Sequence, residues 1–80
     1  MRRLRLYHRP GCHLCEQMQE QLEPYRRNGR LDLDLVDVDM VDTDLSSYLE
    51  RIPLLETPQG ESLCEYFLDE DALLSYLDGG

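Results

Sequence analysis

The sequence predicts an α/β domain: a four-stranded mixed sheet with flanking helices, in the order β-α-β-(α)-β-β-α. Three observations carry that expectation. Leu4-Arg5-Leu6-Tyr7 alternates apolar and polar residues and is closed by the breaker cluster His8-Arg9-Pro10-Gly11, which reads as a strand and a tight loop. From Cys12 the apolar period lengthens, so that Leu14, Cys15, Met18, Leu22 and Tyr25 share a helical face. The second half returns to short apolar runs separated by turn residues and ends in a capped helix. The strand-helix-strand start implies two parallel strands joined by a right-handed crossover.

In the first helix, Glu16, Gln17, Gln19, Glu20 and Glu23 form the polar face, Arg26 and Arg27 suit the C-terminal dipole, and Asn28-Gly29 suits the cap. Pro24 conflicts with a continuous helix, because it removes one hydrogen bond and crowds the carbonyl four residues back. The expectation is a kink there, or an end near Glu23. Leu31 to Asp39 alternates apolar and acidic residues with a slip at Leu35-Val36, which predicts a bulge or an early strand end. Thr43 or Asp44 can cap a short helix with Leu45, Tyr48 and Leu49 on one face. A strand over Ile52–Thr57 is begun by Pro53, and Pro58-Gln59-Gly60 turns into a further strand, Glu61–Tyr66. Asp69 caps the last helix, with Leu68 and Leu73 as a hydrophobic staple, Leu74, Tyr76 and Leu77 for packing, and Gly79-Gly80 as its end.

At 80 residues the chain makes a single domain, 1–80. A domain of this size buries only about 60–65% of its unfolded surface. Every cation is an arginine (Arg2, Arg3, Arg5, Arg9, Arg26, Arg27, Arg30, Arg51), and seventeen acids bring the net charge to −9. Nucleic acid is therefore not an expected partner, since phosphate binding needs dense positive charge. Arg2 and Arg3 are followed by too short an apolar run for an export signal, and no run approaches membrane-spanning length. Three cysteines without a second C-x-x-C pair suit a reducing compartment. The expectation is a cytoplasmic monomer without membrane contact. The acidic run Asp32–Asp44 reads as a solvated face and a protected edge strand.

Cys12-His13-Leu14-Cys15 opens the first helix. Two thiols at this spacing can close a disulfide, and the first lies where unpaired amide N–H groups favour a thiolate. Cys12 is the expected attacking thiolate, and Cys15, on the apolar stripe, the resolving thiol. His13 can stabilise the thiolate as a cation or a hydrogen-bond donor. Arg9, the nearest fixed positive charge in sequence, is a candidate for steadying the thiolate or meeting the carboxylate of a small thiol. The alternatives are a pair of small buried hydrophobes, or a metal site completed by His8, His13 or Cys64. Cys64 reads as a core residue, with a third redox thiol as its alternative, and Tyr7, Tyr48, Tyr66 and Phe67 as core and rim aromatics.

A strand ending in an aromatic, C-x-x-C, β-α-β and then Ile-Pro before a hairpin resembles the thioredoxin fold in its small glutaredoxin form. More specifically, Leu6-Tyr7-His8-Arg9-Pro10-Gly11-Cys12-His13-Leu14-Cys15, Val36-Asp37-Val38-Asp39, and Tyr48 ahead of Arg51-Ile52-Pro53-Leu54-Leu55 resemble the bacterial glutaredoxin-like family of small proteins with a C-x-L-C site. The resemblance implies a cis-proline at Pro53 beside the cysteines and backbone hydrogen bonds from Ile52 to an extended peptide or glutathione. The chain departs from typical glutaredoxins in lacking Cys-Pro-Tyr-Cys and the Gly-Gly pair after the last strand, where Leu63-Cys64-Glu65-Tyr66-Phe67-Leu68-Asp69 stands. It departs from thioredoxins in having no tryptophan, and Leu6 in place of the buried acid.

The function expected is thiol-disulfide oxidoreduction through Cys12 and Cys15, with Arg9, Ile52 and Pro53 binding substrate. A disulfide-containing protein or small thiol is the expected substrate, with a reductase as a further candidate partner. No metal or tightly bound cofactor is expected, and glutathione is a candidate co-substrate. The competing readings are a redox-sensing or metal-binding module without turnover, and an interaction domain whose acidic face docks on a basic partner.

Overall fold

The computed structural model describes residues 2–39, 48 and 50–79. The opening alternation becomes β1 (Arg2–His8), with Leu4 and Leu6 fully buried. Its parallel neighbour is β2 (Leu31–Asp37), in unbroken register from Arg2 opposite Leu31 to His8 opposite Asp37. β3 (Leu54–Glu56) runs antiparallel to β1, and β4 (Ser62–Glu65) antiparallel to β3. The resulting order, β2-β1-β3-β4, is a mixed four-stranded sheet with β1 inside it.

The slip at Leu35-Val36 is resolved by an early end to β2 at Asp37, not by a bulge against β1. Leu35 is left half exposed, while Val36 and Val38 join the apolar residues at the site end of the sheet. The Val38 N–H still donates to the His8 carbonyl at 2.9 Å. The register irregularity lies between Leu55 and Glu56, where β3 meets β4.

α1 (His13–Arg27) contains Pro24 and continues beyond it, which corrects the alternative of an end near Glu23. Pro24 is exposed, so its ring displaces no core neighbour. The turn after it is held by Tyr25, packed on the core, and by Asn28 N–H donating to the Pro24 carbonyl at 3.1 Å. Arg26 adds a 2.7 Å ion pair with Glu23. These contacts outweigh the single hydrogen bond that proline cannot make.

Met18 and Leu22 from α1 pack with Leu4, Leu6, Leu31, Leu55 and Leu73 in the main core. Full burial of each such side chain contributes roughly 1.5–3 kcal/mol. Leu73 belongs to α2 (Glu70–Leu77), capped as expected by Asp69, whose Oδ1 accepts the Ala72 N–H at 3.1 Å. Leu68 packs against the same core, completing the staple.

The opposite sheet face is polar and paired around Arg3 and Arg5 and apolar at Tyr7 and Leu54, toward the cysteine pair. Arg3 donates from Nε and Nη2 to Asp32 Oδ2 at 3.2 and 3.0 Å, which accounts for the acidic alternation on the edge strand β2. The helix expected over Thr43–Leu49 lies outside the described residues except for Tyr48, which is helical and stacks on Tyr7 with ring centroids 4.5 Å apart. Among the described residues no helix is long and apolar enough to cross a membrane.

Candidate active site

After β1 the chain turns through Gly11, whose φ of +81° is a left-handed conformation open to glycine at little cost. The turn brings the Cys12 N–H to the Arg9 carbonyl at 3.3 Å and sets Cys12 in an extended conformation as the N-cap of α1. The Cys12 carbonyl then accepts the first helical bond, from Glu16 N–H at 3.1 Å. Its Sγ takes the place usually held by a serine or aspartate oxygen and accepts the Cys15 N–H at 3.2 Å. Sulfur at this position faces the positive end of the helix dipole, which favours negative charge on it.

Cys15 follows one turn later and is bonded to Cys12, with Cα atoms 5.2 Å apart. The two sulfurs differ in access. Cys12 is partly exposed, whereas Cys15 is 1% exposed within a cluster of Tyr7, Val38, Ile52 and Leu54. Solvent therefore reaches Cys12, with Cys15 behind it.

The Ile52–Pro53 peptide bond is cis, and Pro53 is fully buried. The Pro53 carbonyl accepts the Tyr66 N–H at 2.8 Å, tying the segment to the end of β4. Among the described residues, no hydrogen bond engages the amide or carbonyl of Ile52. The structure thus brings Cys12, Cys15, Ile52 and Pro53 to one end of the sheet.

It does not bring His13 and Arg9 to the sulfurs in the same way. The His13 side chain is 90% exposed, with Nδ1 3.9 Å from Glu16 Oε2 on the next turn. Arg9 Nε lies 3.4 Å from Asp39 Oδ2, and its contribution to the loop is the carbonyl that receives the Cys12 amide. Cys64 stands opposite Leu55 on β4 and packs against the main core, apart from the Cys12–Cys15 cluster. Burial pushes its thiol up from the ordinary value, with a backbone hydrogen bond from Asp69 opposing the shift. Among the described residues, no group of three or more His, Cys, Asp and Glu side chains converges as a metal site.

A model of the glutaredoxin-like domain (DUF836) matches residues 3–78. The chain belongs to the glutaredoxin-like family. This glutaredoxin-like domain is also similar to a Nitrosomonas europaea protein solved in solution, with 34% identity, 94% of this chain and 89% of that one covered, and a TM-score of 0.77. A crystal structure of an X. campestris protein is likewise 34% identical, covers 96% of this chain and 97% of its own, and superposes with a TM-score of 0.71. A comparison with curated proteins returned no match. The four-stranded mixed sheet and the cysteine pair at C-x-x-C spacing are those of a thioredoxin-like redox fold in its glutaredoxin-like form.

The burial of Glu56 and the backbone of Tyr66 escaped the sequence. Glu56 is 5% exposed, although a lone acid ending a short strand gives no local sign of burial. The available signal was register, since Glu56 pairs with Arg5 and so shares a sheet face with it. Phe67, read among the core and rim aromatics, is the exposed end of that set at 69%. Tyr66 before it has a φ of +66°, and nothing in its residue type announces that conformation.

Proposed function

We propose that this glutaredoxin-like domain is a dithiol thiol-disulfide oxidoreductase. The observation that carries the reading is the asymmetry of the pair: a partly exposed Cys12 Sγ at a helix N-terminus accepting the Cys15 N–H, and a buried Cys15 one turn behind. In the reducing direction the Cys12 thiolate attacks a substrate disulfide, forms a Cys12–substrate bond and expels one substrate thiolate. The Cys15 thiolate then attacks Cys12 Sγ, expels the second substrate thiolate and closes Cys12–Cys15. Two electrons pass from the dithiol to the substrate, and an external thiol or reductase returns them, with glutathione as a candidate.

The Ile52 amide and carbonyl, unengaged among the described residues, suit an extended substrate backbone laid beside Cys12, with Pro53 shaping the wall. Arg9 remains a candidate for a substrate carboxylate once it leaves Asp39. The reading further includes a monomer acting in a reducing compartment on a disulfide-containing protein or a small thiol, without nucleic acid, membrane or tightly bound cofactor.

The test is trapping. Cys15→Ser is expected to accumulate a mixed disulfide through Cys12 when mixed with an oxidised substrate, detectable by intact mass. Cys12→Ser is expected to abolish turnover. Undiminished turnover in Cys12→Ser would sink the proposal.

A further inference from the structure

Tyr66 is the one non-glycine residue with a positive φ among the described residues. Left-handed backbone is costly for a side chain that has a Cβ, and it persists only where the surroundings hold it. Here they do so at several points. The Tyr66 N–H donates to the Pro53 carbonyl at 2.8 Å, its hydroxyl donates to the Glu50 carbonyl, and the Phe67 N–H donates to the Glu65 carbonyl at 2.7 Å. The next residue, Phe67, is the most exposed of the large apolar side chains among the described residues, at 69%. A turn pinned to Pro53 thus ends in an aromatic ring in solvent, at the same end of the sheet as Cys12.

The charge nearest that ring in sequence is of one sign. Glu65, Asp69, Glu70 and Asp71 flank it within the segment Glu65–Asp71, which carries no cation. Glu65 is neutralised by Arg51 Nη2 at 2.6 Å, and Asp69 is occupied as the α2 cap. Among the described residues, Glu70 and Asp71 have no ion-pair partner. Arg9, the cation nearest the cysteines in sequence, is held by Asp39.

We infer that Phe67, presented by the left-handed turn at Tyr66, is the docking ring for a protein segment that carries the substrate disulfide between apolar and basic residues. An exposed aromatic supplies contact area that a small dithiol site lacks, and Glu70 and Asp71, close to it in sequence and without an ion-pair partner among the described residues, favour a cationic partner over an anionic one. The inference rests on the redox reading above and names its substrate class. It makes Phe67 a specificity residue and leaves the exchange chemistry to Cys12 and Cys15.

The experiment follows single turnover of the fully reduced domain against three probes: the disulfide-linked dimer of a peptide with leucine and arginine flanking its cysteine, the same dimer with glutamate for arginine, and hydroxyethyl disulfide. The basic peptide is expected to react about tenfold faster than the acidic one at low salt, with the ratio shrinking as salt is added. Phe67→Ala is expected to slow the basic peptide about fivefold to tenfold, the effect of losing one aromatic anchor, with Phe67→Leu recovering part of the rate. Hydroxyethyl disulfide, too small to reach the ring, is expected to react equally with both variants and the wild type. An unchanged basic-peptide rate in Phe67→Ala, or the same loss on all three probes, overturns the docking role while the redox reading stands. Inertness of the wild type toward every probe overturns the redox reading itself, and the docking role with it.

Discussion

The Tyr7 hydroxyl donates to Glu56 Oε1 at 3.1 Å, joining two buried residues from neighbouring strands. Arg5 Nη1 stands 3.7 Å from the same oxygen and 3.4 Å from the hydroxyl. A carboxylate at 5% exposure needs such partners, because desolvation without a hydrogen bond is costly. The same ring stacks on Tyr48 and belongs to the cluster that encloses Cys15. The polar face of the sheet is thereby tied to the floor of the cysteine pair.

Tyr7→Phe keeps the stacked ring and removes only the donor. It is expected to lower unfolding free energy by about 1–3 kcal/mol, the usual cost of leaving a buried acceptor short of a partner. Urea denaturation checks this, and an unchanged midpoint would show that Arg5 alone satisfies Glu56.

Stability is expected to fall in alkali. Burial raises the Cys64 thiol above its ordinary 9.0 and the Tyr7 phenol above its ordinary 10.0. Both groups keep their protons in the folded chain at a pH where the unfolded chain has lost them. The folded state then binds more protons, so unfolding free energy decreases with pH. This contribution is complete below about pH 9 and is lost as pH rises through the raised values. Urea midpoints measured from pH 7 upward should drop above pH 9, with a shallower drop in Cys64→Ala.

His13→Ala is expected to change the alkylation rate of Cys12 in the reduced domain by less than about threefold, because an exposed charge in high dielectric acts weakly on its neighbours. A pH profile of iodoacetamide labelling for wild type and variant decides the matter. A loss of tenfold or more would return His13 to the thiolate.

Pro24→Ala is expected to stabilise the domain. Pro24 is exposed, so the substitution disturbs no packing, and it restores an N–H to a helix that already continues to Arg27. Relief of an interior proline can reach about 3 kcal/mol, offset by about 0.4–1 kcal/mol from the freer unfolded chain. Thermal unfolding of the two proteins gives the sign directly.

Local pattern was enough for much of this protein. The switch from alternation to helical spacing at Cys12, the Asp69 cap with its staple, and the early weakening of β2 are interactions between residues a few positions apart, and each is legible from residue type and spacing. The difference in burial between Cys12 and Cys15 follows from the same periodicity, because one lies at the helix end and the other on its apolar stripe.

Tertiary structure decided what depends on partners far along the chain. Tyr7 and Glu56 are 49 positions apart, and only strand register makes a buried pair of them. α1 continues through Pro24 because Tyr25 finds the core, and His13 points to solvent because the helix fixes its direction beside Glu16. Tyr66 adopts a left-handed turn because Pro53 and Glu50, from another segment, supply the acceptors that hold it. Sequence alone determined that a cysteine pair at C-x-x-C spacing would open a helix in this fold. The packing of distant strands decided what surrounds that pair, because burial and hydrogen-bond partnership are properties of the assembled sheet.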